Sequence, residues 1–274
     1  MFSFIKDFTQ DRTFIVRVGN QRSQTMMLEN GTPQGSVISP MLFLIMINDM
    51  STATSDVDLS LFADDSATFT CSRDLNLLVR KMQKTLDHIQ DWCNKWGFKI
   101  SSTKSTAVLF TAGNSTKKSE TSLQINGVNI QFAGDVKFLG IIFDRNLNWN
   151  KHVKYVEEKA KKRLNLMRSV TGSKWGASKK ALLALYRTLI RSLLDYGCIA
   201  YESASATTKM TLDRIQYKAL RICTGALYAT PQDILQNDCG EMLLALRRKS
   251  RQLKYAAKVK SEENHTTKSI LTNH

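Results

Sequence analysis

The chain has 274 residues, 42% hydrophobic and 23% charged, a balance that excludes a disordered polypeptide and suits one large domain or two smaller ones. Lys and Arg outnumber Asp and Glu by 39 to 24, and the net charge of +15 points to a polyanionic partner, nucleic acid before a membrane surface. The other reading of that charge is simple solubilisation.

Five widely spaced cysteines (Cys71, Cys93, Cys198, Cys223, Cys239) contain no C-x-x-C pair. They read as reduced, mostly buried thiols of an intracellular protein rather than as a zinc site or a disulfide framework. The first residues lack the basic-then-apolar layout of a signal peptide. The longest apolar run, Met41 to Ile47, is far short of the ~20 residues that span a bilayer, so a soluble chain is expected. His88, His152, His265 and His274 show no ligand spacing and read as ordinary surface residues.

In chain order, residues 1–11 suit a helical turn or two. Arg12 to Val18 alternates as a strand, Gly19-Asn20 turns it, and Thr25 to Leu28 returns. A loop over 30–35 follows, in which Pro33 fixes φ and the glycines let another molecule approach the backbone. Ser36 is placed to cap a helix through Met41, Leu42, Leu44, Ile45 and Ile47, an apolar segment suited to burial, with Pro40 in its first turn.

Leu59 to Thr70 then alternates with a period of two, as a pair of half-buried strands, and Asp64 and Asp65 sit where that hairpin turns. Adjacent carboxylates give up the usual Asn-Gly or Asp-Gly turn chemistry and repel one another. They read either as a solvated acidic turn or as oxygen ligands for a divalent cation such as Mg²⁺.

Leu75, Leu78, Met82, Leu86, Ile89, Cys93 and Trp96 recur at helical steps, and Gly97 ends that helix. Phe98 to Ile100 reads as the start of a strand, and Thr106 to Thr111 alternates. Ala112 to Thr121 is a hydrophilic loop, and Asn126-Gly127 is the strongest hairpin signal in the chain. Val136 to Phe143 reads as one further strand, completing a mixed α+β region over roughly 12–145.

From Asn150 the pattern becomes helical: Val153, Val156, Ala160, Leu164 and Met167 on one stripe, then helices near 178–196 and 207–223. Together these suit a small bundle. Pro231 opens a further stretch, Glu241 to Val259 suits a basic helix, and 260–274 a frayed tail. Lys154, Lys161 and Arg168, spaced by seven, share one face of the first bundle helix, with Lys151 and Lys162 nearby. That face is suited to a phosphate backbone, or is merely a solvated one.

Four segments stand in a fixed order: Gly31-Thr32-Pro33-Gln34-Gly35-Ser36 running to Pro40; Phe62-Ala63-Asp64-Asp65; Trp96 to Ile100 with Lys104-Ser105; and Phe138-Leu139-Gly140 to Asp144. In that order they resemble the reverse transcriptase of non-LTR (LINE-like, Jockey-type) retrotransposons, from about Phe14 to Lys258. The resemblance implies an α+β fold: a polymerase palm-type sheet with helices over 1–145, an all-helical thumb-like bundle over 146–225, and a C-terminal connection with a basic helix and frayed tail over 226–274, the fingers being absent.

By the same resemblance, Asp64 is a shared ligand of two Mg²⁺ (or Mn²⁺) ions, with Asp65 its helper. Lys104 protonates the departing pyrophosphate, unless it is a plain surface lysine. Pro33, Gln34, Gly35, Ser36, Phe62 and Ala63 contact the template–primer and the incoming nucleotide, and Phe138, Leu139 and Gly140 grip the primer end. The family's upstream F-x-D aspartate has no match, since only Asp7, Asp11 and Glu29 precede the Gly31 segment, at positions outside the pattern.

The expectation is therefore a two-ion site incomplete in this chain, with negligible polymerase activity alone. RNA template, DNA primer or RNA–DNA hybrid, and dNTP are the implied partners, with no membrane, and with upstream palm and fingers in a full-length parent. The implied location is a retroelement ribonucleoprotein of cytoplasm and nucleus. The alternative is a catalytically dead nucleic-acid-binding remnant.

Overall fold

The computed structural model describes residues 2–28, 31–54, 57–111, 122–172, 175–263, 265, 267 and 268. They form a mixture of helices and short antiparallel strands, compatible with the expected α+β class. The chain divides into two compact units, Met1–Thr106 with Lys118–Gln131, and Ala107–Lys117 with Phe132–His274. The hydrophilic loop expected over 112–121 lies outside the described residues, as does most of the tail beyond Glu263.

In the first unit, α1 (Phe2–Thr9) precedes two small antiparallel pairs, β1 (Thr13–Phe14) with β4 (Met26–Met27) and β2 (Arg17–Val18) with β3 (Gln21–Arg22). The strand expected over Arg12 to Val18 is thus interrupted at Ile15-Val16. There Val16 N donates to the Ser23 hydroxyl and Ser23 N donates back to Val16 O, both at 2.9 Å. A side-chain oxygen has replaced a rung of the ladder.

Helix α2 (Ser39–Ile47) starts three residues after Ser36, so Ser36 is not its cap. Ser36 Oγ instead accepts from Ile38 N at 3.3 Å, while the Ser39 hydroxyl donates to Pro33 O at 2.6 Å and fixes the loop to the helix start. Pro40 lies in the first turn as expected. The expected burial is corrected: Ile47 is buried, but Met41 is 62% and Ile45 68% exposed. A nine-residue helix that is apolar all round can press only one stripe into a core.

Strands β5 (Asp58–Phe62) and β6 (Asp65–Phe69) pair in register, Leu59 with Thr68 and Phe62 with Asp65. Helix α3 (Leu75–Trp96) is capped by the Asp74 carboxylate, which accepts from Asn76 N at 2.9 Å, and ends at Gly97 with φ 74°. Its core-facing residues are Ile89, Trp92 and Cys93, whereas Trp96 is turned outward. They pack with Ile47, Met50, Phe43, Leu59, Leu61, Phe98 and Ile100.

Phe98 to Ile100 is not a strand. Phe98 N donates to Cys93 O at 2.8 Å, a helix-terminating bond, and the Phe98 ring stacks on Trp92 with centroids 5.6 Å apart. Asn126-Gly127, at φ 52° and 72°, joins β8 (Gln124–Ile125) to β9 (Val128–Asn129), as its sequence demands. The two-residue strands β7 (Thr106–Ala107) and β10 (Gln131–Phe132) complete the sequence up to the second unit.

In the second unit, Val136 to Phe143 is a hairpin rather than the single strand expected. β11 (Asp135–Phe138) pairs antiparallel with β12 (Ile141–Asp144), and Leu139-Gly140 forms the turn. The buried Asp144 carboxylate then accepts backbone bonds from Asn146, Asn148 and Trp149 at 3.3, 3.1 and 2.8 Å, organising the entry to α4 (Asn150–Ser169).

Helices α5 (Lys179–Leu185) and α6 (Ser192–Asp195) are continuous through a π-helical stretch, Tyr186–Arg191. The wider turn sets the buried stripe at steps of four, Leu182, Tyr186, Ile190, Leu194 and Cys198. Helix α7 (Ala206–Thr224) packs on α4, with Ala160, Leu164 and Met167 facing a core that includes Leu212, Ala219 and Leu220.

Helices α8 (Gln232–Cys239) and α9 (Leu244–Ser261) follow. Glu241 precedes α9 rather than opening it, and its buried carboxylate accepts from Arg187 and Arg191 at 2.7 and 3.0 Å. Asp195 receives Arg247 and Arg251 in the same way, so much of the basic character of α9 is spent on holding it to the bundle. Four of the five cysteines are buried thiols, as expected, and Cys71 is exposed. His152 contradicts the surface reading: it is 1% exposed, its Nδ1 accepts from Ile142 N at 3.3 Å, and burial holds its pKa below the ordinary value. Among the described residues no helix is long and apolar enough to cross a membrane.

Candidate active site and nucleic-acid interface

The β5–β6 hairpin turns on Ala63 and Asp64, not on the Asp64-Asp65 pair. Leu59 and Leu61 must face the core, and that register brings Phe62 opposite Asp65, leaving only two residues to close the turn. Ala63 takes φ 51°, a conformation disfavoured for a residue with a Cβ. Asp64 and Asp65 are both exposed, and no ion pair or side-chain hydrogen bond engages either carboxylate among the described residues. Phe62 points outward beside them, 63% exposed. Thr68 Oγ1 contacts Met82 Sδ at 3.3 Å and ties the return strand to α3.

In the loop ahead of α2, Pro33 and Ser36 are half-buried and Gln34 and Gly35 exposed. Gly35 has φ 87° and open space where a Cβ would stand, so it is backbone geometry that calls for glycine there. Lys104 is exposed in a turn closed by its own amide donating to Ser101 O at 3.2 Å. The hairpin, α2 and the chain leading to Lys104 are anchored in one apolar cluster of the first unit.

The remaining candidates belong to the second unit. Phe138, Leu139 and Gly140 form the tip of the β11–β12 hairpin, with Leu139 at φ 46° and Gly140 at φ 79°. The Tyr196 hydroxyl donates to Leu139 O at 2.6 Å, and its ring edge comes within 3.4 Å of the place a Gly140 Cβ would take. Along α4, Lys154, Lys161 and Arg168 do share one exposed face. Lys161 is paired with Glu157 at 2.7 Å, Arg168 donates to Asn165 Oδ1 at 2.8 Å, and Lys151 is bonded to Asp135. Lys154 and Lys162 carry no ion pair among the described residues.

The family model for reverse transcriptase (RNA-dependent DNA polymerase) matches residues 2–143, about half of the chain. That span runs from α1 through both hairpins. The chain belongs to the reverse transcriptase family. It is 28% identical over 242 residues to the RNA-directed DNA polymerase from mobile element jockey of Drosophila melanogaster, covering 85% of this chain and 26% of the relative. The jockey polymerase of Drosophila funebris is 29% identical over the same shares. The probable RNA-directed DNA polymerase from transposon BS of Drosophila melanogaster is 25% identical, covering 86% of this chain and 27% of the relative. The chain thus spans about a quarter of the length of these curated relatives. The resemblance to Jockey-type non-LTR elements read from the motifs agrees with them. No solved structure matches the chain at a significant level.

Within this reverse transcriptase chain, the exposed carboxylates of Asp64 and Asp65 are hard oxygen donors of the kind Mg²⁺ prefers. Among the described residues no group of three or more His, Cys, Asp or Glu side chains is gathered for a metal ion. The doublet fits one side of an ion and needs a further ligand. Sequence reasoning missed Tyr196 and Asp144, which hold the second hairpin from either end. Tyr196 is 57 residues from the carbonyl it binds and has no local signal. Asp144 had one, an Asp just ahead of a helix start, in the position where carboxylates collect backbone N–H groups.

Proposed function

We propose that the chain is the catalytic-hairpin segment and following helical bundle of a retrotransposon RNA-directed DNA polymerase, extending a primer annealed to an RNA template. The observation that carries this reading is the reverse transcriptase match across residues 2–143, with Asp64 solvent-exposed at the turn of a core-anchored hairpin. In this reading β5–β6 with α2 and α3 is part of the palm, α4 to α7 form a thumb-like bundle, and α8 and α9 belong to the C-terminal connection and basic helix.

The family generally uses Mg²⁺ or Mn²⁺. Asp64, with Asp65 beside it and a further carboxylate, would hold such ions, which would supply Lewis-acid activation of a primer 3′-hydroxyl and charge stabilisation at the departing pyrophosphate. The chain's own residues do the positioning. Gln34 and Gly35, on a loop fixed by the Ser39–Pro33 bond, lie against the incoming nucleotide, together with Pro33, Ser36, Phe62 and Ala63. Lys104 supplies a proton to pyrophosphate. Phe138, Leu139 and Gly140 hold the primer end, and the basic residues of α4 follow the phosphate backbone.

Two measurements test this. The chain should bind an RNA–DNA hybrid with an affinity that falls steeply with salt. In a polymerase carrying this segment, Asp64→Asn should abolish primer extension on poly(rA)/oligo(dT) while leaving hybrid affinity within about twofold, because a carboxylate that acts through a metal contributes little to backbone binding. Extension that survives Asp64→Asn would refute the catalytic assignment.

A further inference from the structure

In the second unit, two lysines converge on one tyrosine. Lys137 Nζ lies 4.7 Å and Lys159 Nζ 4.5 Å from the centroid of the Tyr155 ring. Both lysines are exposed and the tyrosine is half-buried. Neither lysine has a carboxylate partner among the described residues. The acidic group closest to them along β11, Asp135, is already bonded to Lys151.

Two like charges held at one phenol repel each other, and the cation–π attraction to a shared ring offsets that only in part. An anion between the two ammonium groups would offset the rest of that repulsion. Because Lys and Tyr side chains leave ammonium N–H groups directed to solvent, the anion they suit is a phosphate oxygen rather than a buried carboxylate.

The position narrows the ligand. Lys137 immediately precedes Phe138, on the strand that leads into the Leu139-Gly140 turn. Tyr155 and Lys159 are one turn apart on α4, and Lys162, also without an ion pair among the described residues, lies one turn beyond. This row lies on a different side of α4 from Lys154, Lys161 and Arg168, at the hairpin rather than beside α7, where Lys154 lies near Thr207 and Thr208.

We propose that Lys137, Tyr155 and Lys159 form a phosphodiester-binding site that seats a backbone phosphate of a nucleic-acid strand beside the Leu139-Gly140 turn. The site rests on the polymerase reading above and adds to it a specific contact, with Lys162 continuing the same track. Tyr155 acts as the positioning residue: its ring gathers the two ammonium groups by cation–π attraction.

The test uses the full 274-residue chain and a fluorescently labelled RNA–DNA hybrid, with anisotropy read across a salt series. Losing one phosphate contact should flatten the log–log salt slope by about 0.9 for B-form DNA, and by a comparable amount for a hybrid. Lys137→Ala with Lys159→Ala should give that change with an unaltered melting transition, since both side chains are exposed. Arg214→Ala with Lys218→Ala removes the same charge from α7 and should leave the slope unchanged. Tyr155→Leu, which removes the ring, should weaken binding while retaining a folded chain. An unchanged slope in the folded Lys137/Lys159 double variant overturns the site and leaves the polymerase reading standing. An equal loss in the Arg214/Lys218 variant also overturns it, by reducing the effect to net charge. Failure of the unaltered chain to bind the hybrid at all refutes both. A double variant that retains hybrid affinity but loses binding to an acidic peptide would assign the cluster to a protein partner instead and overturn the nucleic-acid assignment.

Discussion

Replacing Tyr196 by phenylalanine removes a single oxygen and asks whether the helical bundle holds the turn at Leu139-Gly140. The hydroxyl donates to Leu139 O at 2.6 Å, and Leu139 is held at φ 46°. Left-handed backbone costs a residue with a Cβ roughly 1–2 kcal/mol. A hydrogen bond of this kind contributes about 0.5–1.5 kcal/mol net, and exposure of the phenol puts it near the lower half of that range. The two terms are of similar size, so the bond is what keeps the turn in its strained geometry. Without it, a loss of about 1 kcal/mol corresponds to roughly a fivefold fall in the population of the native turn. The melting temperature should drop by about 2–4 °C, and hybrid affinity by up to about fivefold if the turn contacts the primer. Adding Leu139→Asn, which enters left-handed backbone more readily, should recover much of the stability. Thermal unfolding by circular dichroism and hybrid anisotropy provide the two readouts. A folded Tyr196→Phe chain with both values unchanged would refute the reasoning.

Other outcomes follow from the same structure. Glu241→Gln leaves Arg187 and Arg191 facing a neutral amide; because both guanidinium groups are partly exposed and rehydrate, the expected cost is about 2–3 kcal/mol, below the 3–5 kcal/mol of a fully buried pair, measured by urea unfolding. A cost near zero would mean the carboxylate contributes nothing beyond its shape. Burial lowers the His152 pKa from its ordinary 6.5, so the unfolded chain binds the proton more readily than the folded one. Stability should therefore be fully present above about pH 6.5 and decline as pH falls below it towards the folded-state pKa, and His152→Gln should flatten that acid limb in a pH series of melting curves. An acid limb of the same steepness in His152→Gln would place its origin elsewhere.

Much of the helical architecture was legible in residue order. Gly97 ends α3, and Asn126-Gly127 turns a hairpin because its backbone requires positive φ twice. These are local rules, satisfied by residues within a few positions of one another. The family, too, was written in local motifs, which is why four short segments in order agree with the match across residues 2–143.

Tertiary structure decided what local rules leave degenerate. Val136 to Phe143 reads as one strand; it is a hairpin, with a left-handed Leu139 held by a hydroxyl 57 residues away. The doublet at Asp64-Asp65 is divided between turn and strand, because burial of Leu59 and Leu61 sets the register. His152 looks like a surface residue in isolation, yet it lies on the stripe of α4 that the bundle covers. The apolar α2 exposes Met41 and Ile45 because hydrophobicity records what a residue favours, while burial depends on which neighbours are present to cover it. Likewise a lysine's charge is a property of the sequence, but its availability is not: Lys161 is paired with Glu157, while Lys137 and Lys159, distant in the chain, are brought to one tyrosine by the packing of the β11–β12 hairpin, through β12, against α4.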